Sequence, residues 1–133
     1  MDAHANALTP AQWSVMEELW QQGALTGREA TERMEKKMGW NRSTTLTLLR
    51  RMEEKGMVTS SDESGTKTFF PTLRREDAAQ QETESFLDRV YHGSISLMLS
   101  AITQKKSLPQ EEIDELYALL EEMEGNSHDR MDR

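Results

Sequence analysis

The sequence contains no cysteine. That excludes disulfides, thiolate metal sites and thiol nucleophiles together, and it is compatible with a reducing compartment. Also missing is any apolar run approaching the ~20 residues needed to span a bilayer, so no membrane insertion is expected. Met1 to Leu8 hold no Lys or Arg and no apolar stretch, so no secretory signal is expected and the expected location is cytoplasmic. The signatures of catalysis are missing too. His4, His92 and His128 are scattered, with no zinc-type His-Glu-x-x-His, nucleophile elbow or phosphate loop. The acid-rich stretch from Glu111 to Glu124 reads as a solvated helix face rather than a divalent-ion site. The expectation is therefore a protein that is not an enzyme, with no cofactor and no metal.

Apolar residues are scarce. They make up 35% of 133 residues, against 30% charged. So thin a core favours burial against a second copy, and a homo-oligomer is expected. The net charge of −8 argues against nucleic acid only when it is taken whole. Residues 1–75 carry eleven Lys/Arg and ten Asp/Glu, a net of +1, whereas residues 76–133 carry five and fourteen, a net of −9. A phosphate backbone responds to where cations lie, not to the sum over the chain.

What is present is a succession of helix starts and stops. Residues 1–8 read as a flexible tail. Thr9-Pro10-Ala11-Gln12 combines an N-cap threonine, a proline at the first helical position and a capping-box glutamine. Trp13, Met16, Leu19 and Trp20 then follow at helical spacing until Gly23. Thr26-Gly27-Arg28-Glu29 repeats the capping-box pattern, with Ala30, Met34 and Met38 on the expected inner face and Gly39 as the stop. Asn41 caps a third helix from Arg42 to Lys55, in which Thr45, Leu48, Leu49 and Met52 form the inner stripe before Gly56. Met57-Val58-Thr59 and Thr66 to Phe70 are expected as strands joined by the turn Asp62-Glu63-Ser64-Gly65. From Glu76 to Gln104 the pattern is helical again, broken or bent at Gly93. A last helix begins after Ser107-Leu108-Pro109, striped by Ile113, Leu116, Tyr117, Leu120 and Met123, and residues 125–133 are expected as a disordered tail.

Three short helices and a hairpin within about sixty residues outline a winged helix-turn-helix, in a mainly α chain with a C-terminal helical dimerisation domain. The expected division is a DNA-binding domain over 9–75 and a dimerisation domain over 76–124. With the apolar stripe of the third helix turned inward, its opposite face presents Ser43, Thr44, Leu46, Thr47, Arg50 and Arg51 to double-stranded DNA. Hydroxyls exchange hydrogen bonds with base edges and phosphates, a leucine packs on a thymine methyl, and arginine grips guanine or phosphate bidentately. Arg42 adds charge at the helix N-terminus and Lys67 adds charge in the hairpin, although Asp62 and Glu63 keep the wing from being strongly basic. Phe86, Val90, Tyr91, Leu97, Leu116 and Leu120 are the candidate dimer contacts. Two other readings fit the same pattern. One is a winged-helix regulator responsive to a small molecule, for which the methionines would give adaptable packing. The other is an adaptor that binds only protein.

The order of these residues resembles one family. Thr9 to Met16 with Leu19-Trp20 is similar to the first helix of BlaI/MecI-type penicillinase repressors. Trp40, Thr44, Thr47, Leu48, Arg51, Met52, Lys55 and Gly56 resemble that family's recognition helix and its exit, and Phe69 and Pro71 its wing ending. Phe86-Leu87, Val90-Tyr91-His92-Gly93, Ser96-Leu97, Leu108, and Glu112-Ile113 with Glu115-Leu116 resemble its dimerisation region. The resemblance covers nearly all of residues 8–124. It implies repression from palindromic operators, commonly upstream of β-lactam-resistance genes, with relief by cleavage in the dimerisation domain after a membrane sensor is triggered. Two departures stand out. The copper-responsive branch carries a C-terminal cysteine cluster that this chain lacks, which excludes copper sensing of that kind. The cleavage-sensitive branch has an Asn-Phe bond where this chain has Ser100-Ala101, the candidate cleavage position here.

Overall fold

A computed structural model describes residues 8–63 and 65–131, with side chains as far as Asn126. Among the described residues, six helices and three short strands follow one another in the order α1 (Pro10–Gln22), β1 (Leu25–Thr26), α2 (Gly27–Met38), α3 (Arg42–Glu54), β2 (Val58–Ser61), β3 (Thr68–Pro71), α4 (Arg75–Tyr91), α5 (Ile95–Lys105) and α6 (Gln110–Met131).

Local chemistry sets the helix boundaries. At the head of α1 the Thr9 hydroxyl accepts from the Gln12 N–H at 3.1 Å, and Gln12 Oε1 accepts from the Thr9 N–H at 2.9 Å. Thr26 and Glu29 make the same reciprocal pair at the head of α2. Each box satisfies two of the amide donors that a helix N-terminus leaves unpaired. Gly39 ends α2 in the left-handed region, at φ 72°, where a side chain would be strained. Asn41 caps α3, its Oδ1 accepting from the Thr44 N–H at 2.8 Å. Lys55 is the C-cap of that helix and Gly56, at φ 81°, follows it.

The core lies where α1, α2 and α3 meet the sheet. Val15, Met16 and Leu19 from α1, Ala30 and Met34 from α2, and Leu49 and Met52 from α3 are buried together with Leu25, Met57, Val58 and Phe69. Each of these side chains larger than alanine contributes about 1.5–3 kcal/mol on leaving water. Met38, expected on the inner face of α2, is instead exposed. The sheet has the order β1-β3-β2 and is antiparallel throughout, with Leu25 and Ser60 both opposite Phe69. The hairpin is therefore pinned to the helices through β1, a strand absent from the sequence expectation. The second strand also starts later than expected, at Thr68, and retains Pro71 as its last residue.

Beyond the wing, α4 packs back on α1. Arg75 donates to Glu17 through Nη2 at 2.9 Å and lies 5.9 Å from the centre of the Trp13 ring. The Trp20 Nε1–H donates to the Leu73 carbonyl at 2.9 Å. His92 at φ 53° and Gly93 at φ 82° turn the chain sharply between α4 and α5, so the expected interruption is a full break. Two expectations about chain ends need correction. Leu8, assigned to the N-terminal tail, packs against the core, while the rest of that tail lies outside the described residues. The C-terminal tail expected from Gly125 is helical as far as Met131, because helical residues on both sides carry the glycine within α6.

Candidate nucleic-acid interface

The inner stripe of α3 is where its spacing put it. Thr45, Leu49 and Met52 are buried and Leu48 is half-buried. That anchoring turns the opposite side of the helix outward. Arg42, Ser43, Thr44, Arg50 and Arg51 are exposed and Thr47 is half-buried. None of Arg42, Arg50 and Arg51 forms an ion pair with a described residue. Three unpaired guanidiniums on a single helix give a face that attracts phosphate.

Two grooves flank this ridge. The larger, of about 620 Å³, runs between α3, the start of α2 and the wing. Arg42, Ser43, Leu46, Thr47, Arg50 and Lys67 line it, together with Gly27, Arg28, Thr66 and Phe69. The smaller, of about 360 Å³, lies on the α1 side and is lined by Ser43, Thr44, Thr47 and Arg51 with Ala11, Trp40 and Leu48. All eight expected DNA contacts thus line one groove or the other.

Leu46 differs from expectation. It is half-buried rather than free to solvent, and it floors the larger groove where a Cβ on Gly27 would come within 3.5 Å of its Cδ2. That is ordinary van der Waals contact, and it marks where the start of α2 meets α3. Lys67 reaches the same groove but is engaged, its Nζ 3.4 Å from Glu53 Oε1. Four lining residues escaped the sequence reading: Gly27, Arg28, Thr66 and Phe69. They flank the strand pairing of β1 with β3, and that contact leaves no periodic signature in two residues.

The expected dimer contacts lie on α4, α5 and α6. Phe86, Val90, Leu97 and Leu120 are exposed, between 38% and 54% of their surface. Tyr91 and Leu116 are half-buried, and Tyr91 meets Phe86 edge-on at 5.8 Å. Ile95, Leu119 and Met123 add to this exposed apolar surface. Ser100 and Ala101 sit inside α5, with the Ser100 carbonyl accepting from Thr103 Oγ1 at 3.2 Å.

A three-helix core with a sheet-pinned hairpin and a cationic, outward-facing third helix defines a winged helix-turn-helix protein. The chain belongs to the penicillinase repressor family, whose model matches residues 8–122. Among curated relatives, the penicillinase repressor of Bacillus licheniformis is 29% identical over 115 residues, which is 86% of this chain and 90% of that protein. The methicillin resistance regulatory protein MecI of Staphylococcus aureus strain N315 is 23% identical over 120 residues, 90% of this chain and 98% of its own length. Among solved structures, the DNA-binding domain of the repressor BlaI aligns with a TM-score of 0.49 at 23% identity, covering 53% of this chain and 85% of that domain.

Proposed function

We propose that this protein is a homodimeric transcriptional repressor that holds a palindromic operator through α3 and acts by occupying DNA rather than by catalysis. The observation that carries the reading is the ridge of Arg42, Arg50 and Arg51, turned outward between two grooves and without partners among the described residues. Ser43, Thr44 and Thr47 stand between these charges, with hydroxyls suited to base edges, and Leu46 offers an apolar surface to a thymine methyl. The names borne by relatives in the family, penicillinase repressor and methicillin resistance regulatory protein, support control of antibiotic-resistance genes. Such a role places the protein in the cytoplasm beside the chromosome.

In this reading the exposed apolar residues of α4 to α6 pair across a two-fold axis, and two recognition helices then read two half-sites. Relief by a sensor-linked protease at Ser100-Ala101 would require α5 to unwind first, since a protease cleft takes an extended chain and this bond lies within a helix.

Selection of genomic fragments on the purified protein tests the reading. The expected result is enrichment of a palindrome, and equal recovery of all fragments would refute it. On the selected site, Arg51→Ala is expected to weaken specific and random binding alike and to reduce the salt slope by about 0.9, as loss of one phosphate contact does. Thr47→Ala should instead alter sequence preference. An equal loss on both kinds of DNA would remove Thr47 from base reading.

A further inference from the structure

The wing lysine is already engaged within the folded chain. Lys67 lies just before β3, and its carbonyl accepts from the Gly27 N–H at 3.3 Å. Its ammonium sits 3.4 Å from Glu53 Oε1 and 5.4 Å from the centre of the Phe69 ring. The second carboxylate oxygen, Glu53 Oε2, accepts a hydrogen bond from Ser60 Oγ in β2. One acid near the C-terminal end of α3 therefore grips both sides of the wing, β2 through Ser60 and the approach to β3 through Lys67. The hydrogen bond from Ser60, aided by the charge of Lys67, holds the Glu53 carboxyl below the usual carboxylate range, so it is ionised at neutral pH.

Glu53 and Lys67 are each only partly exposed, at 31% and 48% of their side chains. A phosphate that drew Lys67 away would leave the carboxylate unpaired beside the DNA backbone, where like charges repel. The exchange thus trades one anion for another and adds a repulsion. Arg42 and Arg50, which line the same groove, form no ion pair with a described residue.

We propose that Glu53 is a specificity-determining residue that stands in for a phosphate, withholding Lys67 from the DNA backbone and so limiting sequence-independent binding. The proposal rests on the DNA-binding reading above. It assigns Lys67 to shaping the wing, while the arginines of α3 supply the contacts to the duplex. It also gives a physical reason for an acid at the edge of a cationic groove, since every cation free to meet phosphate strengthens binding to all sequences equally.

The test is a double-mutant cycle on a 30-base-pair random-sequence duplex, titrated between about 50 and 200 mM salt, where each phosphate contact adds about 0.9 to the slope of log affinity on log salt. Lys67→Gln alone is expected to leave the slope unchanged. Glu53→Gln keeps an acceptor for Ser60 but loses the charge. It is expected to steepen the slope by about 0.9 and tighten random binding about three- to tenfold. The double variant should return to the wild-type slope. A fall of about 0.9 for Lys67→Gln alone, or an unchanged slope for Glu53→Gln, would overturn the proposal. Should Glu53→Gln fail to fold in a thermal melt, the Lys67→Gln arm decides by itself. Wild-type protein that binds no duplex at 50 mM salt would sink the DNA-binding reading, and this inference with it.

Discussion

Thr45 lies wholly inside the three-helix core, and its hydroxyl has no hydrogen-bond partner among the described residues. A buried hydroxyl stripped of water and left unpaired costs about 1–3 kcal/mol. Valine has the same shape with a methyl in place of the hydroxyl. Thr45→Val is therefore expected to stabilise the fold by about 1 kcal/mol, read as a higher midpoint in urea with an unchanged slope. A loss of stability would mean that the hydroxyl is satisfied in solution. The spacing of α3 put Thr45 on the inner face correctly. It gave no sign that the hydroxyl would go unpaired, because pairing depends on neighbours from α1 and α2. Leu46 shows the same limit. Its angular position placed it outside the stripe, yet it is half-buried where the start of α2 lies beside α3.

At the scale of the element, α1 and α2 are clamped by one buried acid. Glu18 receives Lys37 Nζ at 2.9 Å and Arg33 Nη1 at 3.3 Å, both from α2. The Lys37 hydrogen bond, with that of Arg33, holds the Glu18 carboxyl below its ordinary value against the opposing effect of burial. A carboxyl whose pKa is lower folded than unfolded adds stability that is complete above the unfolded value, about 4.3, and is lost as pH falls through the folded one. Thermal melts from pH 7 to pH 3 are expected to show stability declining in the acid range, with a shallower decline for Glu18→Gln. Equal declines would deny the clamp any role in acid sensitivity. The helices themselves were legible because their ends are written locally, in Thr9 with Gln12, Thr26 with Glu29, and Asn41. The strand β1 was not, since Leu25 and Thr26 extend only because β3 offers them hydrogen bonds from more than forty residues away. The end of α6 was missed for the opposite reason: Gly125 reads as a stop, yet its helix continues through it.

At the scale of the whole molecule, the cationic ridge and the apolar surface lie on different parts of the chain, α3 and α4 to α6. The joint between those parts is compact. Glu17, Arg75 and Trp13 interlock there, Trp20 fastens Leu73, and Ala78 is buried beside them. If the apolar surface pairs two copies, charging it should separate them without unfolding either. Leu97 and Leu120 are exposed over 51% and 54% of their surface. The double change Leu97→Asp and Leu120→Asp is expected to give a monomer by sedimentation with a near-normal thermal midpoint, and to weaken binding to the selected palindrome by at least tenfold, since paired attachment is lost. A variant that still sediments as a dimer would move the contact elsewhere. Seven of the eight candidate contacts lie on α3, so one helical phase sets where they stand. The rest of the lining, brought by Gly27 and Phe69 from distant segments, needed the fold.

The uneven spread of charge along the chain has a consequence for motion. With a net of −9 on residues 76–133 and +1 on residues 1–75, the charge that makes the protein an anion belongs almost wholly to its C-terminal part. In the field of a polyanion residues 76–133 are repelled and residues 1–75 are not, a torque that sorts collisions by orientation before any atoms touch. Dissolved ions weaken that torque within a Debye length of about 10 Å at 0.1 M salt, which makes ionic strength a control on how often an encounter begins the right way round.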